Sequence, residues 1–149
     1  MHLDIAVCLP REAETVALIR TVVTNTLLLL GVEDGCVEDV RLAVSEACTN
    51  VIDHAAGDDE YEVRLEVDGN RCAISITNAG DGFDASNLSG EMPDTSSARG
   101  RGVAIMQAVV DTVEFRSEPE AGTVVHLVKT LKIRDDGALG RLGRHRDSS

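Results

Sequence analysis

Aromatic residues are nearly absent from this chain of 149 residues, which has no Trp, one Tyr and two Phe. Apolar residues still make up 43% of it, so a core has to be built from Val, Leu, Ile and Ala. The length predicts one domain with a proper core. No apolar run is long enough to span a bilayer, and the N-terminus lacks the basic start and apolar stretch of a secretory signal. We therefore expect a cytoplasmic protein without membrane contact.

Cysteines are also few. Cys8, Cys36, Cys48 and Cys72 include no C-x-x-C pair. Three of them sit within apolar patterns, which predicts buried, reduced thiols rather than a zinc site.

Basic residues are scarce, because 14 Lys and Arg oppose 26 Asp and Glu and the formal net charge is −12. Such a surface repels nucleic acid, so we expect no direct contact with it, whereas basic protein partners would be attracted. The charge is uneven, since residues 134–149 carry four Arg against three Asp. We predict that residues 1–133 form the domain and that 134–149 are a disordered tail.

Hydrophobic periodicity predicts the order of the structural elements. The order is a strand, two helices, two hairpin-paired strands, a long loop, a helix and two more strands. The predicted strands are 2–9, 61–67, 71–78, one from 113 and one over 123–133. The predicted helices are 11–31, 37–56 and one from 103, and the long loop is 79–102. This order predicts an α+β two-layer sandwich, with helices on one face of a mixed, mostly antiparallel sheet.

The helix predicted over 37–56 carries an unusual polar face. Glu46 and Asn50 are spaced i, i+4, and Asp53 falls on the same side, without a basic partner. The carboxylate can take a proton, and the amide oxygen can ligate a hard cation such as Mg²⁺. An ordinary exposed polar face is the alternative interpretation.

Two glycine clusters bracket the long loop. The first, Asn78-Ala79-Gly80-Asp81-Gly82-Phe83, follows a strand, and its glycines would let the main chain approach a flat ligand. The second, Arg99-Gly100-Arg101-Gly102, precedes the next predicted helix, where main-chain N–H groups suit a phosphate. A long loop between two such clusters is typical of a functional segment.

Together these motifs resemble the Bergerat-fold (GHKL) ATPase superfamily, to which gyrase and the histidine kinases belong. The resemblance covers roughly residues 3–133 and rests on Ser45-Glu46-Ala47-Cys48-Thr49-Asn50, the two glycine boxes and Gly122-Thr123. The segments SEACTN, GFD and GRGVAIM most resemble those of the anti-sigma factor serine/threonine-protein kinases of bacterial stress response and sporulation.

The resemblance implies a role for each matching residue. Glu46 would be the catalytic base and Asn50 the Mg²⁺ ligand, and residues 84–99 would form a lid over ATP. The residues implied in nucleotide binding are Asn50, Asn78, Gly80, Gly82, Gly100, Arg101, Gly102 and Thr123. Family members bear Asp at the first position of the first glycine box. Asn78 lacks that charge, which is expected to weaken adenine binding by about 1 kcal/mol.

The resemblance also implies partners and an activity. The chain would sequester a sigma factor, and it would use ATP and Mg²⁺ to phosphorylate a serine of a STAS-type anti-sigma factor antagonist; it could form a homodimer. A nucleotide-tuned binding module without phosphotransfer is the alternative. A histidine-kinase catalytic domain detached from its dimerisation part is a third interpretation, which the N-terminal strand and the short loop make less favoured.

Overall fold

A computed structural model describes residues 2–54, 60–79, 98–118 and 122–134. The described elements, in chain order, are β1 (His2–Pro10), α1 (Glu14–Leu30), α2 (Asp34–His54), β2 (Glu60–Asp68), β3 (Arg71–Ala79), α3 (Ala98–Val109), β4 (Thr112–Glu118) and β5 (Gly122–Thr130). None of these three described helices is both long and apolar enough to cross a bilayer.

The sheet has five strands in the order β1-β2-β3-β5-β4, and the four described pairings are antiparallel. The predicted α+β two-layer sandwich is therefore confirmed. β5 returns between β3 and β4, so the long connection from β3 to α3 leaves from the middle of the sheet. This position next to β5 matters for the site described below.

One face of the sheet is buried under the helices. In β2 the predicted alternation holds, because Tyr61, Val63, Leu65 and Val67 are buried while the residues between them are partly or fully exposed. On the open face Arg64 pairs with acidic side chains of β1 and β2. Exposed pairs of this kind add little stability, so the buried apolar face accounts for most of the layer packing.

α1 ends where the sequence predicts, at a glycine. Gly31 has φ 90°, a left-handed conformation that Gly adopts without a Cβ penalty. The N–H of Gly31 donates to the carbonyl of Leu28, and the N–H of Val32 donates to that of Leu27. The Arg134 N–H donates to the Gly31 carbonyl, so the last described residue is held at this turn.

The predicted start of the third helix is wrong. α3 begins at Ala98 rather than at residue 103, so the second glycine cluster lies inside the helix and not before it. The physical reason is tertiary packing, because α3 lies against α2 and this contact outweighs the weak helix propensity of the two glycines. Several predictions fall on residues outside the described part: Gly80, Gly82, residues 84–97 of the proposed lid, the end of the central helix at 55–56, and the tail from 135.

Candidate functional site

α2 packs against the sheet through the apolar arc that its sequence predicts. Its members are all buried: Val37, Val40, Val44, Ala47, Cys48 and Val51. The helix crosses β3 and β5, the two strands next to the start of the long loop. Side chains at the flank of α2 are thus held over the centre of the sheet.

The predicted polar face of α2 is divided in the structure. Asp53 is exposed and Glu46 is partly exposed, but Asn50 is buried, with only 4% of its surface accessible. The alternative interpretation, an ordinary exposed polar face, therefore does not hold for Asn50. The reason is that α3 packs alongside α2 and covers this flank.

Glu46 and Asn50 meet α3 at Gly102. A Cβ built on Gly102 would lie 3.0 Å from Glu46 Oε2 and 3.5 Å from both Nδ2 and Oδ1 of Asn50. A methyl at this position would crowd the carboxylate of Glu46 and lie in ordinary contact with the Asn50 amide. Three of the predicted site residues, from two separate motifs, are thus brought into one contact.

The Asn50 amide is incompletely satisfied. Its Nδ2 is buried and has no hydrogen-bond partner among the residues that the structure describes. An orphaned buried polar atom costs about 1–3 kcal/mol, and such atoms in folded proteins commonly mark ligand or ion sites. An amide with both polar atoms beside a bare glycine and a carboxylate fits a hard cation bound through its oxygen.

The N-terminal turn of α3 comes directly before Gly102 in the chain. The N–H groups that a helix leaves without an intrahelical partner are those of its first turn, here residues 98–101. Arg101 is exposed on this turn. Gly102 lies beyond the turn, so its contribution is the close approach of α3 to α2 rather than a free N–H donor.

A second polar pair interrupts the apolar inner face of the sheet. Asn78 and Thr123 are register partners on β3 and β5, and they are only 1% and 0% exposed. The inward-facing residues that precede Asn78 on β3, Ile74 and Ile76, are apolar. Asn78 Nδ2 donates a hydrogen bond of 2.5 Å to the main-chain carbonyl of Glu60. These two predicted adenine-site residues therefore lie side by side, on the sheet face that α2 covers.

Lys129 is a residue that the sequence reading missed. Its Nζ donates to the Val109 carbonyl at the end of α3 over 2.6 Å and pairs with Asp39 of α2 at 3.3 Å. The side chain is only 14% exposed. A Lys at an inward-facing position of β5 was the signal that could have identified it, since such a charge needs partners.

The four cysteines do not contribute chemistry to this site. Cys36, Cys48 and Cys72 are buried as predicted, whereas Cys8 is exposed. Burial raises the pKa of the Cys48 thiol to about 12, and it has the same effect on Cys72. The two buried thiols therefore stay protonated and unreactive at neutral pH.

Comparison with known proteins agrees with this geometry. The family model described as "Histidine kinase-like ATPase domain" matches residues 9–129. The serine-protein kinase RsbW of Bacillus velezensis is 30% identical over 134 residues, or 83% of this chain and 82% of the relative. RsbW of Bacillus licheniformis is 33% identical over 141 residues, with coverage of 86% and 87%. The anti-sigma F factor of Pasteuria penetrans is 36% identical over 103 residues, with coverage of 63% and 68%.

A solved structure shares the fold. The RsbU and RsbW domains of a Mycobacterium tuberculosis protein match with a TM-score of 0.66 at 17% sequence identity, over 87% of this chain. The matched part is 32% of that longer chain. The fold and the family match thus define a histidine kinase-like ATPase domain. The chain belongs to that family, and within it to the RsbW-like group of GHKL ATPases, as the sequence motifs predict.

Proposed function

We propose that this chain is an ATP-dependent anti-sigma factor that sequesters a sigma factor and phosphorylates a serine of a STAS-type antagonist. The observation that supports the proposal is the contact of Glu46 and Asn50 with Gly102, where a carboxylate and a carboxamide meet near the N-terminal end of α3. The relatives named serine-protein kinase and anti-sigma F factor support it. The absence of a long apolar helix from the described residues is compatible with a cytoplasmic protein.

Asn50 is proposed as the Mg²⁺ ligand. Its Oδ1 would ligate the cation, while the buried Nδ2, which has no partner among the described residues, would donate to an acceptor such as a phosphate oxygen. When bound, Mg²⁺ would neutralise charge on the phosphates and hold them for in-line transfer. The first turn of α3, with Gly100 and Arg101, would bind the same phosphates through N–H groups and positive charge.

Glu46 is proposed as the base. It lies one helical turn before Asn50, and its carboxylate reaches the same contact at Gly102. As the serine oxygen bonds to the γ-phosphorus, the bond to the bridging oxygen breaks and ADP leaves. Glu46 takes the proton of the serine hydroxyl. A positioned base of this kind contributes about 10²- to 10⁴-fold in rate.

Adenine is proposed to lie against the buried polar pair at the end of β3 and β5. Among the described buried residues on the inner faces of β3 and β5, only Asn78 and Thr123 are polar. Gly80 and Gly82 would line the same pocket and let the main chain approach the flat base.

The test is a phosphotransfer assay beside a binding assay. The full chain is incubated with γ-labelled ATP, Mg²⁺ and a serine-containing antagonist, and sigma-factor binding is measured separately. Glu46→Gln should retain ATP affinity and sigma-factor binding but lose transfer by about 10²-fold or more. Glu38→Gln is the matched control, because Glu38 lies on the same helix, exposed and paired with Arg41.

The outcomes separate the two candidate functions. Unchanged transfer by Glu46→Gln would remove Glu46 as the base. A wild-type protein that binds ATP and a sigma factor but transfers no phosphate to any antagonist would instead be a nucleotide-tuned binding module.

A further inference from the structure

Two large aliphatic side chains are exposed close to Glu46. Leu42 on α2 is 43% exposed, and Ile105 on α3 is 37% exposed. The other exposed large aliphatic residues in the described part of the chain lie on α1: Leu18, Leu28 and Leu29. A single exposed leucine is ordinary, but two aliphatic side chains on neighbouring helices beside a candidate site suggest a contact with a ligand or partner.

Leu42 lies on the outward side of α2, one helical turn before Glu46. Both side chains are accessible to solvent, so a substrate that reaches the carboxylate also reaches Leu42. Four residues of helix span about 6 Å along the axis. An extended peptide covers that distance in about two residues. A side chain one or two positions from a serine held at Glu46 therefore reaches Leu42.

The helices α2 and α3 run in opposite directions. Near the start of α3, Gly102 contacts Glu46 in the second half of α2. At the end of α3, Lys129 joins the Val109 carbonyl to Asp39 in the first half of α2. From the contact at Gly102, α3 therefore passes back along α2 towards the N-terminal end of α2.

This direction places Ile105 on the same side of Glu46 as Leu42. Ile105 follows Gly102 by three residues, which is about 4.5 Å along the helix and about 60° around it. The next residue, Met106, is fully buried, so Ile105 lies at the outer edge of the contact between the two helices. The two aliphatic side chains thus lie at one end of the proposed reaction site.

A groove of about 440 Å³ on α1 and α2 adjoins this end of the site. Its lining residues are Arg20, Glu38, Asp39, Arg41, Leu42 and Ser45, and Ser45 directly precedes Glu46 in the chain. The two basic and two acidic side chains give the lining no net charge, so it does not favour a strongly charged segment. Leu42 is the apolar residue among them, and its contact is strengthened by an aliphatic side chain in the groove.

We infer that Leu42 and Ile105 bind an aliphatic side chain that lies one or two residues from the acceptor serine of the protein substrate. The chain then selects serines with an aliphatic neighbour, because burial of apolar surface favours that substrate over a polar one. The contact is the same in the bound substrate and in the transition state, so it lowers the KM for the substrate and leaves kcat unchanged. This inference rests on the proposed function, since it takes the serine to be held at Glu46.

The test is steady-state phosphotransfer by the full chain from γ-labelled ATP to a STAS-type antagonist of varied concentration. Leu42→Ala and Ile105→Ala should each raise the KM for the antagonist about 3- to 10-fold, the effect of losing part of the burial of one aliphatic side chain. The kcat and the affinity for ATP should stay unchanged. Leu42→Met keeps the apolar surface and should retain the wild-type KM. Leu29→Ala is the matched control, because Leu29 is 79% exposed on α1.

Mass spectrometry of the phosphorylated antagonist supplies a second readout. An aliphatic residue is expected within two positions of the phosphoserine. An acceptor serine without such a neighbour, or an unchanged KM in both alanine variants, would overturn the inference and leave the proposed function intact. Weaker ATP binding by the variants would assign the two side chains to the nucleotide site, and weaker sigma-factor binding with an unchanged KM would assign them to that partner; either result contradicts the inference. No transfer by the wild type would overturn the inference together with the proposed phosphotransfer.

Discussion

Replacing Gly102 by Ala separates the stability of the α2–α3 contact from its function. The added methyl would lie 3.0 Å from Glu46 Oε2, closer than carbon and oxygen normally pack, and at ordinary contact distance from the Asn50 amide. The carboxylate is the flexible end of a long side chain, so it can yield by a few tenths of an ångström. Such a shift would move the proposed base away from its position.

The effect on stability is expected to be small because two terms oppose each other. Ala in a helix is more favourable than Gly by about 1 kcal/mol, whereas overpacking costs about 1–3 kcal/mol. A net loss of at most about 2 kcal/mol would lower the Tm by roughly 4–8 °C for a domain of this size. The effect on phosphotransfer should be larger, up to about 10²-fold, which is the loss that a full 1 Å misplacement of a catalytic group causes.

Gly35→Ala is the matched control. Gly35 is also helical, at the start of α2, but a Cβ there would meet nothing within 4 Å. It should gain helix stability and leave nucleotide binding and transfer unchanged. If Gly102→Ala retains full transfer and full affinity for Mg²⁺-ATP, the assignment of this contact as the reaction site is refuted.

Four further predictions concern other features of the fold. Asn50→Ala should lose Mg²⁺-dependent ATP binding in calorimetry yet keep its fold, because the deleted Nδ2 has no partner among the described residues; unchanged binding would contradict the ligand role. A thiol reagent at pH 8 should modify Cys8 rapidly and the buried thiols slowly, and Cys8→Ser should abolish the fast phase. Equal labelling of all four cysteines would count against the burial of the other three. Because burial raises the pKa of the Cys48 thiol from 9.0 to about 12, the thiol ionises first in the unfolded chain. The free energy of unfolding should therefore fall as the pH rises from 9 to about 12. Lys129→Met should lower the free energy of unfolding by about 1.5–3 kcal/mol, because it removes a charged hydrogen bond to the Val109 carbonyl at the end of α3. Asp39→Asn should lower it by less than about 1 kcal/mol, because Asp39 is the exposed partner of the ion pair. Equal losses in chemical denaturation would point to the ion pair instead.

The sequence predicts the sheet and the proximity of Glu46 to Asn50 well, because both depend on local patterns. Alternation along β2 identifies its buried face, and the i, i+4 spacing on α2 places Glu46 and Asn50 together. The glycine motifs then indicate which loop and helix accompany that pair. These signals come from periodicity and backbone chemistry, which a single sequence carries directly.

Features that depend on packing between distant segments were not predictable in this way. Two glycines argue against a helix over 98–102, yet α3 includes them because contact with α2 outweighs local propensity. The burial of Asn50 follows from that same packing. The Glu60 carbonyl leaves no trace in the residue type, since every residue has one, so its bond to Asn78 could be found only in three dimensions.

The most direct test of the central claim is a crystal structure of the full chain with Mn²⁺ and a non-hydrolysable ATP analogue. The anomalous signal of Mn²⁺ locates the metal independently of the nucleotide. The account predicts a metal about 2.1 Å from Asn50 Oδ1, with the phosphates at the first turn of α3 and the base beside Asn78 and Thr123. A metal or nucleotide bound away from Asn50, for example on the open face of the sheet, would contradict it.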